Sequence, residues 1–242
     1  MSTVLDAVPD AAVEIVESPK AASSGINGLR FRRACIEDAI QCAPLVYASG
    51  EREFDYFLSV PPGICIAFLE SAFRSSAGRF SHRRHHVAVD QSGTVLGILA
   101  AHDGRAIFWD DPHIAWALIR FFGVRRAFRM LLRGLVLESE LPKPTRNQTL
   151  MAHCATLAMA RSQGVFSALF RYAIESDAFS LRGGRQLVLD VLVSNQAARA
   201  LYERLSFATT AVKRNRSRRL PGVLGSTRMH LDATRCKRER QS

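Results

Sequence analysis

Several patterns are missing from the 242 residues, and each absence excludes a class of function. Cys35, Cys42, Cys65, Cys154 and Cys236 are odd in number, scattered, and never spaced C-x-x-C, which argues against a zinc site or redox pair and predicts reduced thiols. Residues 1–24 carry acidic residues and prolines where a secretory signal has a basic start and an unbroken apolar run, so a cytoplasmic location is expected. Nowhere do about 18 apolar residues follow one another, the run a membrane-spanning helix needs. A Walker loop, a dinucleotide fingerprint and an H-E-x-x-H pair are absent as well.

What is present suits a folded α/β enzyme domain. At 48% apolar content the chain is too hydrophobic for wholesale disorder, and its length fits one generous domain. The net charge of +11 is unevenly spread: beyond Val212, ten Lys and Arg face only Asp232 and Glu239. The run from Lys213 to Arg219 suits contact with phosphates or an anionic membrane surface, and equally a solvated loop. Residues 1–28 read as a flexible leader, 29–233 as the folded domain and 234–242 as a basic tail.

Within the domain, Leu29-Arg30-Phe31-Arg32-Arg33 alternates as a strand, followed by a helix with Ile40, Ala43 and Tyr47 on its inner side. Pro61-Pro62 precedes an apolar helix from about Ile64 to Phe73. His86–Val89 and Thr94–Ala101 flank the turn-forming Asp90-Gln91-Ser92-Gly93, which predicts a hairpin. The stretch from His113 to Glu138 reads as one amphipathic, Arg-rich helix, suited to packing on the sheet, to a homodimer contact or to a membrane surface.

Strands at Leu150–Leu157 and Leu187–Val193 bracket a helix from Gln163 to Ser176, with about 30 residues from strand to strand, the length of a right-handed crossover joining parallel strands. The loop entering that helix exposes unpaired N–H groups at the positive end of the helix dipole, a site suited to a pyrophosphate. A helix over Gln196–Leu205 and a final strand pair around the basic run complete the chain.

Arg161-Ser162-Gln163-Gly164-Val165-Phe166-Ser167-Ala168-Leu169 resembles the first motif of the GNAT superfamily of N-acetyltransferases, a strand followed by Arg/Gln-x-x-Gly-x-Gly/Ala and a helix. Asn195-Gln196-Ala197-Ala198-Arg199-Ala200-Leu201-Tyr202 followed by Ser206-Phe207 resembles the second, Asn-x-x-Ala-x-x-Leu-Tyr and then Gly-Phe. The likeness is loose over 29–232 and specific over 150–207. Phe166 replaces the usual small residue, where a bulky side chain would crowd a diphosphate, and Ser206 replaces the glycine.

The resemblance implies a mixed, mostly antiparallel sheet with a splayed parallel strand pair and helices on both faces. It also implies acetyl-CoA as co-substrate and an amine acceptor. Cofactor contacts would come from Ala155, Thr156 and Leu157 on the strand, from the loop residues Arg161, Ser162, Gln163 and Gly164, from Val165, Phe166 and Ser167 opening the helix, and from Asn195, Ala198 and Tyr202. Backbone around Ala155 and Leu157 would pair with the pantetheine arm, and Tyr202 would protonate the departing thiolate.

The base stays open among His102, Asp103, His153, Glu53 and Asp55, while His82, His85 and His86 read as solvated and no metal site is expected. A second class of function is a catalytically weak GNAT-like domain acting as a nucleic-acid or membrane-surface adaptor through its basic tail and Arg-rich helix.

Overall fold

The computed structural model describes residues 28–210 and 220–232. The leader, the basic run and the basic tail expected from the sequence lie outside them.

The described residues build one seven-stranded sheet in the order β1-β2-β3-β4-β5-β7-β6. Its strands are β1 (Arg30–Arg33), β2 (His85–Val89), β3 (Val95–Asp103), β4 (Gln148–Thr156), β5 (Gln186–Leu192), β6 (Phe207–Thr209) and β7 (Ser226–Leu231). Every pairing is antiparallel except β4 with β5, the two strands joined by the crossover. This is the mixed, mostly antiparallel sheet that the resemblance implied.

Helices α1 (Ala39–Ser49), α2 (Glu51–Leu58), α3 (Pro62–Phe73), α4 (Asp110–Phe122) and α5 (Val124–Glu138) belong to one side of the molecule; α6 (Val165–Glu175) and α7 (Gln196–Arg204) belong to the other. Strand alternation feeds both cores: Val87 and Val89 of β2 enter the α1–α3 cluster, while Ala88 between them enters the α6–α7 cluster.

Three sequence expectations change. On α1 the buried face is Ala39, Cys42, Ala43, Val46 and Tyr47, and Ile40 points to solvent. Helix α2 has no counterpart in the sequence reading; its eight residues are too short to show a periodicity. The Arg-rich segment is two helices, broken at Gly123 with φ 78 and ψ 159, a conformation that excludes nearly every residue with a Cβ. Together α4 and α5, with the residue preceding α4, leave Trp109, Trp116, Val124, Phe128, Leu132 and Leu135 exposed, beside the exposed Arg120, Arg125, Arg126 and Arg129. Arg133 turns inward and donates to the Phe57 and Leu58 carbonyls, closing the C-terminal end of α2.

Candidate active site at the β4 bulge

Strands β4 and β5 pair only from Gln148↔Gln186 to Leu150↔Val188. Beyond that, β4 stays with β3 and β5 stays with β7, so the two parallel strands part into a wedge. The parting coincides with a bulge: β4 pairs Ala155 with Ile98 and Ala152 with Ala100, so His153 and Cys154 stand opposite Leu99 alone. His153 has φ 51, the left-handed backbone of a bulged residue.

The Leu157 N–H donates to the Leu96 carbonyl at 2.8 Å, so that residue faces β3. Successive residues of a strand alternate in the edge they offer, which gives the open edge of the wedge to Thr156. The Thr156 carbonyl already accepts from Arg161 Nε at 3.3 Å, tying the loop cation to the wedge.

After a 3-10 turn at Ala158–Ala160, the loop Arg161–Gly164 is exposed. Ser162 (φ 61) and Gly164 (φ 78) both take left-handed backbone, and α6 starts at Val165 with no side chain capping it. The N–H groups of its first turn are thereby left for an anion at the positive end of the dipole. Gln163 donates to the Met159 carbonyl at 2.8 Å and braces the loop.

Phe166 does not crowd this loop. At the second helical position it turns into the core beneath α6, and its ring meets Tyr202 edge-on with centroids 6.2 Å apart. The large residue fills interior volume and leaves the outer side of the loop open.

Asn195 caps α7, its side-chain oxygen accepting from the Ala198 N–H at 3.1 Å. Seven residues on, Tyr202 is buried between Phe166 and Phe207, in the core cluster that also takes in Cys154 of the bulge. Burial, and then the neighbouring thiol, hold the phenol well above its ordinary pKa, so at neutral pH it is a proton donor. Burial pushes the Cys154 thiol up to about 12. Cys154 is not among the sequence candidates; only the bulge brings it to Tyr202. Ser206 stands at φ 65, doing with strain what the usual glycine does freely.

On the other side of the bulge lies a cavity of about 430 Å³, bounded by α2, α4, α5, β3 and β4 and lined by His153, His102 and Glu53 among others. The base candidates separate here. Asp55 accepts from the Tyr47 hydroxyl at 2.8 Å, Asp103 is ion-paired with Arg185, and neither lines the cavity. Glu53 does line it, and its Oε2 is buried without a partner; burial raises its pKa above the ordinary carboxylate range.

His85 and His86 are buried, against the expectation of solvated rings, because β2 is an interior strand covered on both faces. The Ser81 carbonyl, 2.8 Å from His85 Nδ1, can only accept, so that nitrogen carries the proton. Neutral His85 then accepts at Nε2 from His153 Nδ1, 2.9 Å away, and the pair is fixed in one tautomeric arrangement.

Burial holds His86 and His153 down to about 4, and His85 and His102 well below their usual value. These folded-state values are depressed, so the unfolded chain takes up protons first once the pH drops below about 6.5. Stability should therefore be lost as pH falls from about 6.5 toward 4. Urea melts at pH 7 and pH 5 check this: midpoints should fall steeply, and a His153→Asn variant, whose side chain tolerates left-handed backbone, should show a shallower fall. Equal midpoints at the two pH values would contradict the burial of these rings.

The family described as acetyltransferase (GNAT) matches residues 54–207. No curated protein is similar enough in sequence to match. Among solved structures, an N-acetyltransferase from Staphylococcus aureus Mu50 superposes with a TM-score of 0.61 at 19% identity, over 83% of this chain and 98% of that one. A structure described only as an acetyltransferase gives 0.59 at 18%, over 84% and 98%. A GCN5-related N-acetyltransferase from Kribbella flavida gives 0.50 at 20%, over 84% and 96%. At such identities these likenesses concern the fold, which is the one built above. With a splayed strand pair, an uncapped helix behind an Arg-x-x-Gly loop and the matched span, the chain belongs to the GNAT acetyltransferase family.

Proposed function

We propose that this chain transfers an acetyl group from acetyl-CoA to a primary amine, by direct attack of the amine on the thioester at the β4 bulge. The observation that carries the reading is that neighbouring bulge residues face opposite sides: Cys154 packs into the core cluster of Tyr202, and His153 lines the cavity.

Bound acetyl-CoA supplies an electrophilic thioester carbonyl and a thiolate leaving group. The residues present fit such a molecule: the amides opening α6 and the Arg161 guanidinium suit its phosphates, and Thr156 offers backbone at the edge of the wedge. The remaining roles belong to side chains. Glu53 takes the proton that the amine sheds, and Tyr202 gives its phenolic proton to sulfur as the C–N bond forms and the C–S bond breaks. When the amine arrives as an ammonium, the proton taken by Glu53 frees its lone pair. The second proton shed by nitrogen passes by way of solvent to re-protonate Tyr202, and Glu53 releases its own to solvent.

Calorimetric titration with acetyl-CoA, joined to an assay of thiol release over a panel of amines, tests the reading. Saturable binding at low micromolar concentration is expected, weakened about tenfold by Arg161→Ala, with the difference shrinking as salt rises. No binding at all would overturn the proposal. The adaptor reading has one observation in its favour, the exposed aromatic and arginine face of α4 and α5. Salt-sensitive binding to anionic vesicles without acetyl-CoA binding would favour it.

A further inference from the structure

The cavity beyond the bulge has apolar walls, including Phe54, Phe57, Phe80, Ile114, Leu131 and Met151. Its charges are mostly spent on one another. Arg79 pairs with Asp111 at 2.8 Å and Glu138 at 3.6 Å, and Lys143 pairs with the same two carboxylates at 2.5 and 3.3 Å. Asp190, which also lines the space, is held by Arg228 at 2.6 and 3.1 Å. His102 and His153 are neutral at physiological pH.

Among the described carboxylates that line the cavity, Glu53 alone has no ion pair. Its Oε2 is buried with no partner, on the turn of α2 whose next residue, Phe54, packs its ring 6.3 Å from that of His153 at the bulge. A buried carboxylate without a counter-charge is costly, and a single cation from outside removes that cost. Arg79 Nε and His102 Nδ1, on the same lining, are also buried without a partner, but neither group is an anion, so neither draws a cation as Glu53 does.

We propose that the acceptor is a small primary amine on an apolar body, aromatic or alkyl, with its ammonium held by Glu53 and its body filling the space between α2, α4 and α5. This assignment rests on the transferase reading and narrows it. A polyamine or an aminoglycoside would bury additional ammonium or hydroxyl groups where every other carboxylate lining the cavity is already paired, and each such group costs its hydration. A peptide amine would bury backbone amides under the same penalty.

Gly134 of α5 sets the width. A Cβ built there would stand 3.0 Å from Phe57 Cε2, so its missing side chain keeps room between α5 and the Phe57 ring. It is thus a specificity-determining position, and a branched side chain there narrows the cavity.

The test measures thiol release by the full chain with acetyl-CoA and 2-phenylethylamine, hexylamine, ethylamine, spermidine, kanamycin and a short peptide beginning with Phe. Acetyl-CoA binding is measured separately by calorimetry. The expected kcat/KM for 2-phenylethylamine and hexylamine exceeds that for ethylamine and spermidine by about 100-fold, from apolar area buried. Gly134→Val should lower the value for 2-phenylethylamine about tenfold more than that for ethylamine. Leu131→Phe, narrowing the same space from another turn of α5, should do likewise and guards against a folding defect in the first variant.

Preference for spermidine, kanamycin or the peptide would overturn the assignment, as would folded variants that treat all amines alike. Failure of every amine while acetyl-CoA binds would overturn it too, leaving the transferase reading standing. Failure of acetyl-CoA to bind would remove both, a result separable from the others.

Discussion

A Tyr202→Phe enzyme should turn over about 10²-fold or more slowly than the parent while binding acetyl-CoA with unchanged affinity. The change deletes one oxygen and keeps the ring that packs between Phe166 and Phe207, so the α6–α7 core survives. What is lost is the proton for the departing sulfur. The phenol stays protonated far into alkaline solution, since burial and the Cys154 thiol both disfavour the phenolate. The parent should therefore hold its activity to high pH, and any alkaline fall attributable to the phenol should vanish in the variant.

The neighbouring thiol provides a control. Cys154→Ala removes the neighbouring thiol and leaves the acid, so it should cost far less than Tyr202→Phe. Unchanged turnover in the phenylalanine variant would take Tyr202 out of the chemistry and leave it a core residue.

Glu53→Gln should lower kcat/KM by about 10²-fold to 10⁴-fold, the range of a positioned general base. In the parent, activity should fall as pH is lowered through a value above the ordinary carboxylate range, because burial favours the protonated acid and only the carboxylate accepts a proton. That acidic limb should be missing from the variant's pH profile.

The effect on stability has the opposite sense. A carboxyl whose folded-state pKa is raised keeps its proton while the unfolded chain has already released it, so the native state loses stability as pH rises through that window. The amide of the Glu53→Gln variant carries no charge to desolvate, and this pH dependence should disappear. A poorly active variant that melts at or above the parent's temperature at neutral pH separates a lost base from a damaged fold. Full activity with the acidic limb intact would remove Glu53 from the proton path.

The two motifs are legible in the sequence because each is local. The Arg-x-x-Gly loop and the Asn-to-Tyr helix are continuous segments, and a capping Asn, a left-handed Gly and an apolar stripe act within a few residues of one another. The crossover length between β4 and β5 fixes their parallel pairing in the same way. The break at Gly123 is not legible, because an isolated glycine inside an apolar, Arg-studded stretch does not announce its φ.

Nor is the cavity beyond the bulge. Its walls come from α2, α4, α5, β3 and β4, joined by contacts between residues dozens of positions apart, and no periodicity records which of several carboxylates finds a partner. Asp55 and Glu53 look alike in sequence; folding gives the first a tyrosine hydroxyl and leaves the second with a buried, unpartnered oxygen. The buried histidines of β2 escape a sequence reading for the same reason, since whether a strand is covered on both faces depends on what packs there.

By itself the chain determined its family, the parallel crossover and the two local motifs, because these follow from short-range backbone chemistry. Only the tertiary structure decided that Phe166 turns inward, that Cys154 packs with Tyr202, and that one carboxylate oxygen of the cavity lining is buried without a partner. Burial and pairing are properties of the assembled core, where desolvation sets the cost of each charge.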